Sequence, residues 1–90
     1  MLTIVYTTAF KKDYKRALKQ GKNIKKIDDV LYHLKNFLPL DRRFRDHKLS
    51  GDCVGKRECH IEPDWLLIYE TTEAELMLYR TGSHSDLFGK

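Results

Sequence analysis

Three of the four histidines in this chain, His47, His60 and His84, fall in its β-rich part, each next to a turn or a strand end. Such positions are where sites are built on a rigid scaffold. Around them in the sequence lie Asp46, Glu58, Asp64, Trp65, Arg80 and Phe88. The set contains candidates for a base, an acid, a phosphate-binding cation and two aromatic platforms.

Those groups suit cleavage of RNA, whose backbone carries its own nucleophile, the 2′-hydroxyl beside each phosphate. The reaction needs a base for the 2′ proton, a cation for charge building on the phosphoryl oxygens, and an acid for the departing 5′ oxygen. Imidazole titrates near neutrality and can serve as base or acid. Arg80 suits the middle task, because guanidinium stays charged and presents a planar fork to phosphate oxygens. Trp65 and Phe88 are candidates for stacking on unpaired bases. Phe88 in a polar tail has little packing to gain, whereas a tryptophan opening an apolar strand is as readily a core residue.

A metal site is the competing use of these residues, since His47, Cys59, His60, Asp64 and His84 are all ligand types. Their spacing matches no zinc pattern, and adjacent Cys59 and His60 point to opposite faces of a strand. The expectation is therefore no metal and no cofactor. Cys53 and Cys59, six apart, form neither a CxxC pair nor half a zinc finger, and are expected to be two reduced thiols.

The elements that must position these groups can be read from apolar periodicity. Leu2 to Thr7 alternates and is rich in β-branched residues, predicting a first strand. Thr7 or Thr8 can cap a helix in which Phe10, Tyr14, Ala17 and Leu18 form the apolar stripe and Gly21 ends it, with Lys11, Lys12, Lys15, Arg16 and Lys19 opposite. A second helix carries Ile24, Ile27, Val30, Leu31 and Leu34 and stops before Pro39. A loop over 40–45 precedes a short extended piece at His47 to Leu49, and Gly51 and Gly55 bracket the next turn. Residues 56–61 alternate, with Lys56, Glu58 and His60 on one face and Arg57, Cys59 and Ile61 on the other. Trp65 to Glu70 reads as a buried strand and Glu75 to Thr81 as its hairpin partner, with Leu76, Leu78 and Arg80 sharing a side. The expected fold is α+β in the order β-α-α-β-β-β, a single domain over 1–90 in which a mostly antiparallel sheet packs against a helical hairpin.

The chain is 41% hydrophobic and 33% charged, which excludes a disordered class. Its longest apolar run, Trp65 to Tyr69, is far shorter than a membrane span, and no secretory leader pattern opens it, so a cytoplasmic location is expected. Residues 1–50 carry thirteen Lys/Arg against five Asp/Glu, a net of +8, while 51–90 carry four against eight, a net of −4. The basic half could meet a polyanion and the acidic half a basic partner.

Three segments, Asp46-His47-Lys48-Leu49-Ser50-Gly51, His60-Ile61-Glu62-Pro63-Asp64-Trp65-Leu66-Leu67-Ile68-Tyr69 and Arg80-Thr81-Gly82-Ser83-His84-Ser85-Asp86-Leu87-Phe88, together resemble the YafQ-type toxins of the RelE superfamily. The resemblance is dense from about Leu38 to Gly89 and consistent in element order before that. It implies a RelE-like microbial ribonuclease fold and metal-free cleavage of messenger RNA in the ribosomal A site. It also implies a cognate antitoxin that in turn contacts operator DNA. Carried over by motif, His47, His60, Asp64 and His84 fall on catalytic positions, Arg80 on the phosphate-stabilising position, and Trp65 and Phe88 on positions that shape or contact the RNA. The preferred assignment makes His84 the acid, Asp64 or His60 the base and His47 a further phosphate or proton-transfer contact. Glu58 stands where aspartate is expected, and its role is open. Lys11, Lys12, Lys15 and Lys19 would meet ribosomal RNA or an acidic antitoxin segment.

Three rivals remain. A ParE-like relative poisons gyrase without cutting RNA but lacks this histidine-rich tail; a non-catalytic RNA-binding module would leave RNA intact; a metal-dependent hydrolase would need its metal.

Overall fold

In the computed structural model, which describes residues 1–49 and 55–89, the chain runs β1 (Thr3–Tyr6), α1 (Thr8–Lys19), α2 (Ile24–Lys35), a 3-10 turn (Arg42–Phe44), β2 (His47–Lys48), β3 (Arg57–Glu62), β4 (Trp65–Thr71), β5 (Glu75–Gly82) and α3 (His84–Phe88). Gly51, Cys53 and Lys90 lie outside the described residues. The strands form one sheet in the order β1-β5-β4-β3-β2, antiparallel except for β1 beside β5. The α+β order predicted from periodicity holds, with two additions. The extended piece at His47 is a fifth strand in the sheet, and the polar tail is a helix.

One face of the sheet carries the core. Cys59, Ile61, Trp65, Leu67, Tyr69, Leu76 and Leu78 meet Phe10 and Ala17 of α1 and Ile27, Val30 and Leu31 of α2. Leu18 is a correction: expected on the buried stripe, it stands 52% exposed, because Ala17 and Phe10 already meet the sheet one helical step away. Cys59 is a free, buried thiol, and burial pushes its pKa up, which keeps it protonated and inert. No helix among the described residues is long and apolar enough to cross a membrane.

The short β1 decides how α1 is used. β1 pairs only as far as Tyr6 with Leu78, so the last turn of β5 has no strand on its outer side. Side chains of α1 take over that edge. Thr7 caps α1 by accepting from the Phe10 N–H, and its hydroxyl lies 2.8 Å from the carbonyl of Leu78 and 3.1 Å from that of Tyr79. Asp13 accepts from the Thr81 N–H at 3.1 Å, and Arg16 donates to the Thr81 carbonyl at 3.0 Å. The backbone groups of a buried edge thus find partners without a sixth strand.

Candidate active site

The histidines come together because the strands lie in register. His47 pairs with Glu58, Glu58 with Ile68, and Ile68 with Arg80, one row across β2, β3, β4 and β5. In the next row His60 pairs with Leu66 and Leu66 with Gly82, two residues before His84. Laterally paired residues share a face, so these rows lie opposite the core.

Arg80 reaches this row through a bulge. Tyr69 pairs with Leu78 but Ile68 pairs with Arg80, so β5 spends one extra residue there. Strict alternation would keep Arg80 on the core side with Leu76 and Leu78, as the sequence predicts. The bulge reverses that assignment, since a slip of one residue moves a side chain to the other face.

At one end of the row the side chain of Glu58, 8% exposed, holds two imidazoles. Its Oε1 lies 3.2 Å from His47 Nε2 and 3.4 Å from His60 Nε2. Each ring turns its Nδ1 to a backbone carbonyl, His47 to Lys48 at 3.1 Å and His60 to Pro63 at 3.4 Å. A carbonyl and a carboxylate both only accept, so Nδ1 of each ring donates to its carbonyl, and the contacts of the two Nε2 atoms with Glu58 close as hydrogen bonds when a proton is shared between ring and carboxylate. Sequence reasoning did not assign Glu58 a part, because an isolated glutamate in an alternating strand is ordinarily solvated. Only the register to His47 marks it.

At the other end, His84 opens α3. Its backbone N–H donates to Asp64 Oδ1 at 2.9 Å and its ring Nδ1 lies 2.7 Å from the same oxygen. These contacts, the backbone one foremost, hold the Asp64 carboxyl below its ordinary pKa. A depressed folded-state value means the Asp64–His84 contact is complete above the unfolded carboxyl range and is lost as pH falls through the lower folded value. An NMR titration that follows the Asp64 carboxyl carbon should therefore show it moving only under more acidic conditions than an ordinary aspartate requires; movement at the pH of an ordinary aspartate would contradict the pairing. The His60 and His84 rings have centroids 6.0 Å apart, those of His47 and His60 6.1 Å, and the exposed ring of Phe88 is 6.5 Å from His84. His47, His60, Asp64, His84 and Phe88 thus form one continuous patch.

α3 is seated by a network based on α1. Asp13, buried, accepts from Arg80 Nε at 2.6 Å, from Arg80 Nη2 at 3.2 Å and from Arg16 Nη1 at 3.0 Å. Hydrogen bonding to Asp13 raises the pKa of Arg80, so its charge is permanent. Arg16 continues to Asp86 at 3.7 Å, and Asp86 closes a capping box with Ser83. Gly82 lets these approach: a Cβ there would fall 2.6 Å from Arg16 Nη2 and 3.0 Å from Asp86 Cβ. Asp13 was also missed by sequence reading, being one acid in a lysine-rich helix.

Two expected RNA contacts fare differently. Trp65 is a correction: fully buried, with its indole N–H donating to Thr81 Oγ1 at 2.9 Å, it is a core residue and offers no stacking face. Its hydrogen bond ties β4 to β5 under the site. Phe88 stays 47% exposed beside His84. Lys11, Lys12, Lys15 and Lys19 are exposed on α1.

The donor atoms of His47, Glu58 and His60 all lie within 4.8 Å of one another, a group that could hold a metal ion. Spacing along the chain does not reveal it, because the donors are neighbours across strands. Of the other ligand types, Cys59 faces the core and Asp64 with His84 forms a separate pair.

A family profile described as a bacterial toxin of type II toxin-antitoxin system, YafQ, matches residues 2–89. The mRNA interferase toxin YafQ of Escherichia coli strain K12 is 42% identical over 87 residues, 96% of this chain and 95% of its own. The E. coli toxin in its crystallised complex with DinJ superposes with a TM-score of 0.91 at 42% identity, covering 98% of both chains. A copper-bound mutant toxin from Helicobacter pylori superposes with a TM-score of 0.93 at 41% identity, over 98% of this chain and 100% of that one.

Proposed function

Because the chain belongs to the YafQ family of type II toxins, we propose that it is a ribosome-dependent endoribonuclease that cuts messenger RNA in the A site and so inhibits translation. The observation that carries this reading is the patch in which the Glu58-linked imidazoles face the Asp64–His84 pair.

In the proposed reaction His60, backed by Glu58, takes the proton of the 2′-hydroxyl. The freed oxygen attacks phosphorus, a 2′,3′-cyclic phosphate forms, and the bond to the 5′ oxygen breaks. His84 gives that oxygen its proton from Nε2. Asp64 is better suited to orienting His84 than to acting as base, since its Oδ1 is already engaged by two nitrogens. Arg80 neutralises the phosphoryl oxygens: Asp13 takes its Nε and Nη2, and Nη1 keeps no protein partner among the described residues. His47 is a further contact to the phosphate, and Phe88 stacks on a base. Primer extension on a translated message tests this reading: new ends should map to A-site codons with toxin and ribosomes together. Intact message alongside damaged DNA would favour a gyrase poison, and intact message that is still bound would favour a non-catalytic RNA module.

The nucleophile belongs to the substrate, so no metal is required. A chelator should leave single-turnover cleavage undiminished. Added Zn²⁺ or Cu²⁺ should inhibit it, because a cation on His47, Glu58 and His60 occupies the nitrogen that must take the proton. Loss of activity in chelator, restored by metal, would overturn the metal-free mechanism.

As the E. coli relative is crystallised with DinJ, a cognate antitoxin is the expected partner here, reaching operator DNA only through that protein. The lysine arc of α1 suits a polyanion: 16S ribosomal RNA, or an acidic antitoxin segment that competes with it. A ribosomal target places this work in the cytoplasm.

A further inference from the structure

β2 is only two residues long, so the edge of β3 from His60 to Glu62 has no strand beside it. The chain that precedes β2 stands off from that edge, and the gap is a cavity of about 340 Å³. Its walls include His60, Lys26, Glu62, Asp29, Arg43, Phe44 and Arg45. Of the two acids, Glu62 is paired with Lys26 Nζ at 2.7 Å, and Asp29 is a single exposed carboxylate against the two arginines, since His33 Nδ1 turns to the Asp29 backbone carbonyl at 2.8 Å. Arg43 and Arg45 are exposed and make no ion pair among the described residues. Arg43 lies over the Phe44 ring, 4.9 Å from its centroid. The cavity thus has uncommitted positive charge at its mouth, a planar cation and an aromatic ring on one wall, and a histidine of the reaction patch on the other.

We infer that this cavity is the subsite for the nucleotide immediately upstream of the scissile phosphate, the one whose 2′-hydroxyl attacks. The inference rests on the function proposed above and adds a direction to it. With His60 taking the 2′ proton and His84 protonating the 5′ oxygen, the upstream nucleotide lies on the His60 side and the downstream one on the His84 and Phe88 side. The cavity opens beside His60, so it belongs to the upstream nucleotide. Arg45 takes its 5′ phosphate, and the guanidinium plane of Arg43, lying over Phe44, stacks on its base.

The test uses single-turnover cleavage by the full chain on ribosomes programmed with three messages: intact, abasic one nucleotide upstream of the cut, and abasic one nucleotide downstream. The Arg43→Ala/Arg45→Ala variant loses two charges and the guanidinium plane over Phe44 together, so its half-saturating concentration on intact message should rise about tenfold or more. The upstream abasic message should weaken the wild-type chain by itself, and the double variant should lose less on that message than on the intact one. Phe88→Ala should show the reverse pattern, its loss shrinking only on the downstream abasic message. If the losses from the arginines and the upstream base simply multiply, the arginines contact ribosomal RNA and the subsite assignment is wrong. If the downstream base couples to Arg43 and Arg45, the direction is wrong. If the wild-type chain cuts none of the messages, the proposed function itself fails and takes this inference with it.

Discussion

Replacing His84 with alanine is expected to slow single-turnover cleavage on programmed ribosomes by about 10²–10⁴-fold, the contribution of one positioned acid. The size follows from the leaving group: an alkoxide at the 5′ oxygen is a poor departing species at neutral pH, and no other imidazole stands on that side of the patch. Half-saturation should change far less, because Phe88 and Arg80 stay in place. Asp64→Asn keeps the contact to the His84 ring and removes its charge, so it should slow the step by less than losing the ring. A His84→Ala chain that cut at the wild-type rate would overturn the acid assignment.

Asp13→Ala should have the largest effect on stability. Removing it leaves Arg80, Arg16 and the Thr81 N–H facing each other without their common acceptor. Breaking a buried pair from one side costs about 3–5 kcal/mol, and the lower end applies here because both guanidiniums keep partial contact with water. The urea midpoint should fall with little change in slope. Cleavage should also drop under conditions where the variant remains folded, since Arg80 loses its support and α3 its link through Arg16 to Asp86. Asp13→Asn, which keeps the volume and one acceptor oxygen, should recover part of both. A midpoint equal to the wild type's would mean that this network does not hold β5 and α3.

Much of the architecture was legible because it depends on local periodicity. The stripes of α1 and α2 and the alternation of β3 are properties of a few consecutive residues, and apart from Leu18 they survive in the folded chain. The tail was harder to read. Ser83, Asp86 and Gly89 carry the capping signals of α3, but a helix of five residues has too little apolar pattern to stand out, and its seat is made by Arg16 from far along the chain. Phe88 was legible as a ring with nothing to pack against. Trp65 was not, since the indole N–H needs a buried partner that only the β4–β5 register supplies at Thr81.

By itself, then, the sequence determined which residue types are present and in what element order they come: a β-α-α-β-β-β core, a basic first half and a set of histidines in family-like motifs. The tertiary structure decided which of them meet. Glu58 joins His47 and His60 because strands pair side by side, Arg80 leaves the core side because β5 carries one extra residue, and Asp13 supports Arg80 because β1 ends early. Periodicity specifies the face of a residue relative to its own neighbours in the chain. Contacts between strands depend on register and on bulges, which are set by the packing of the whole sheet.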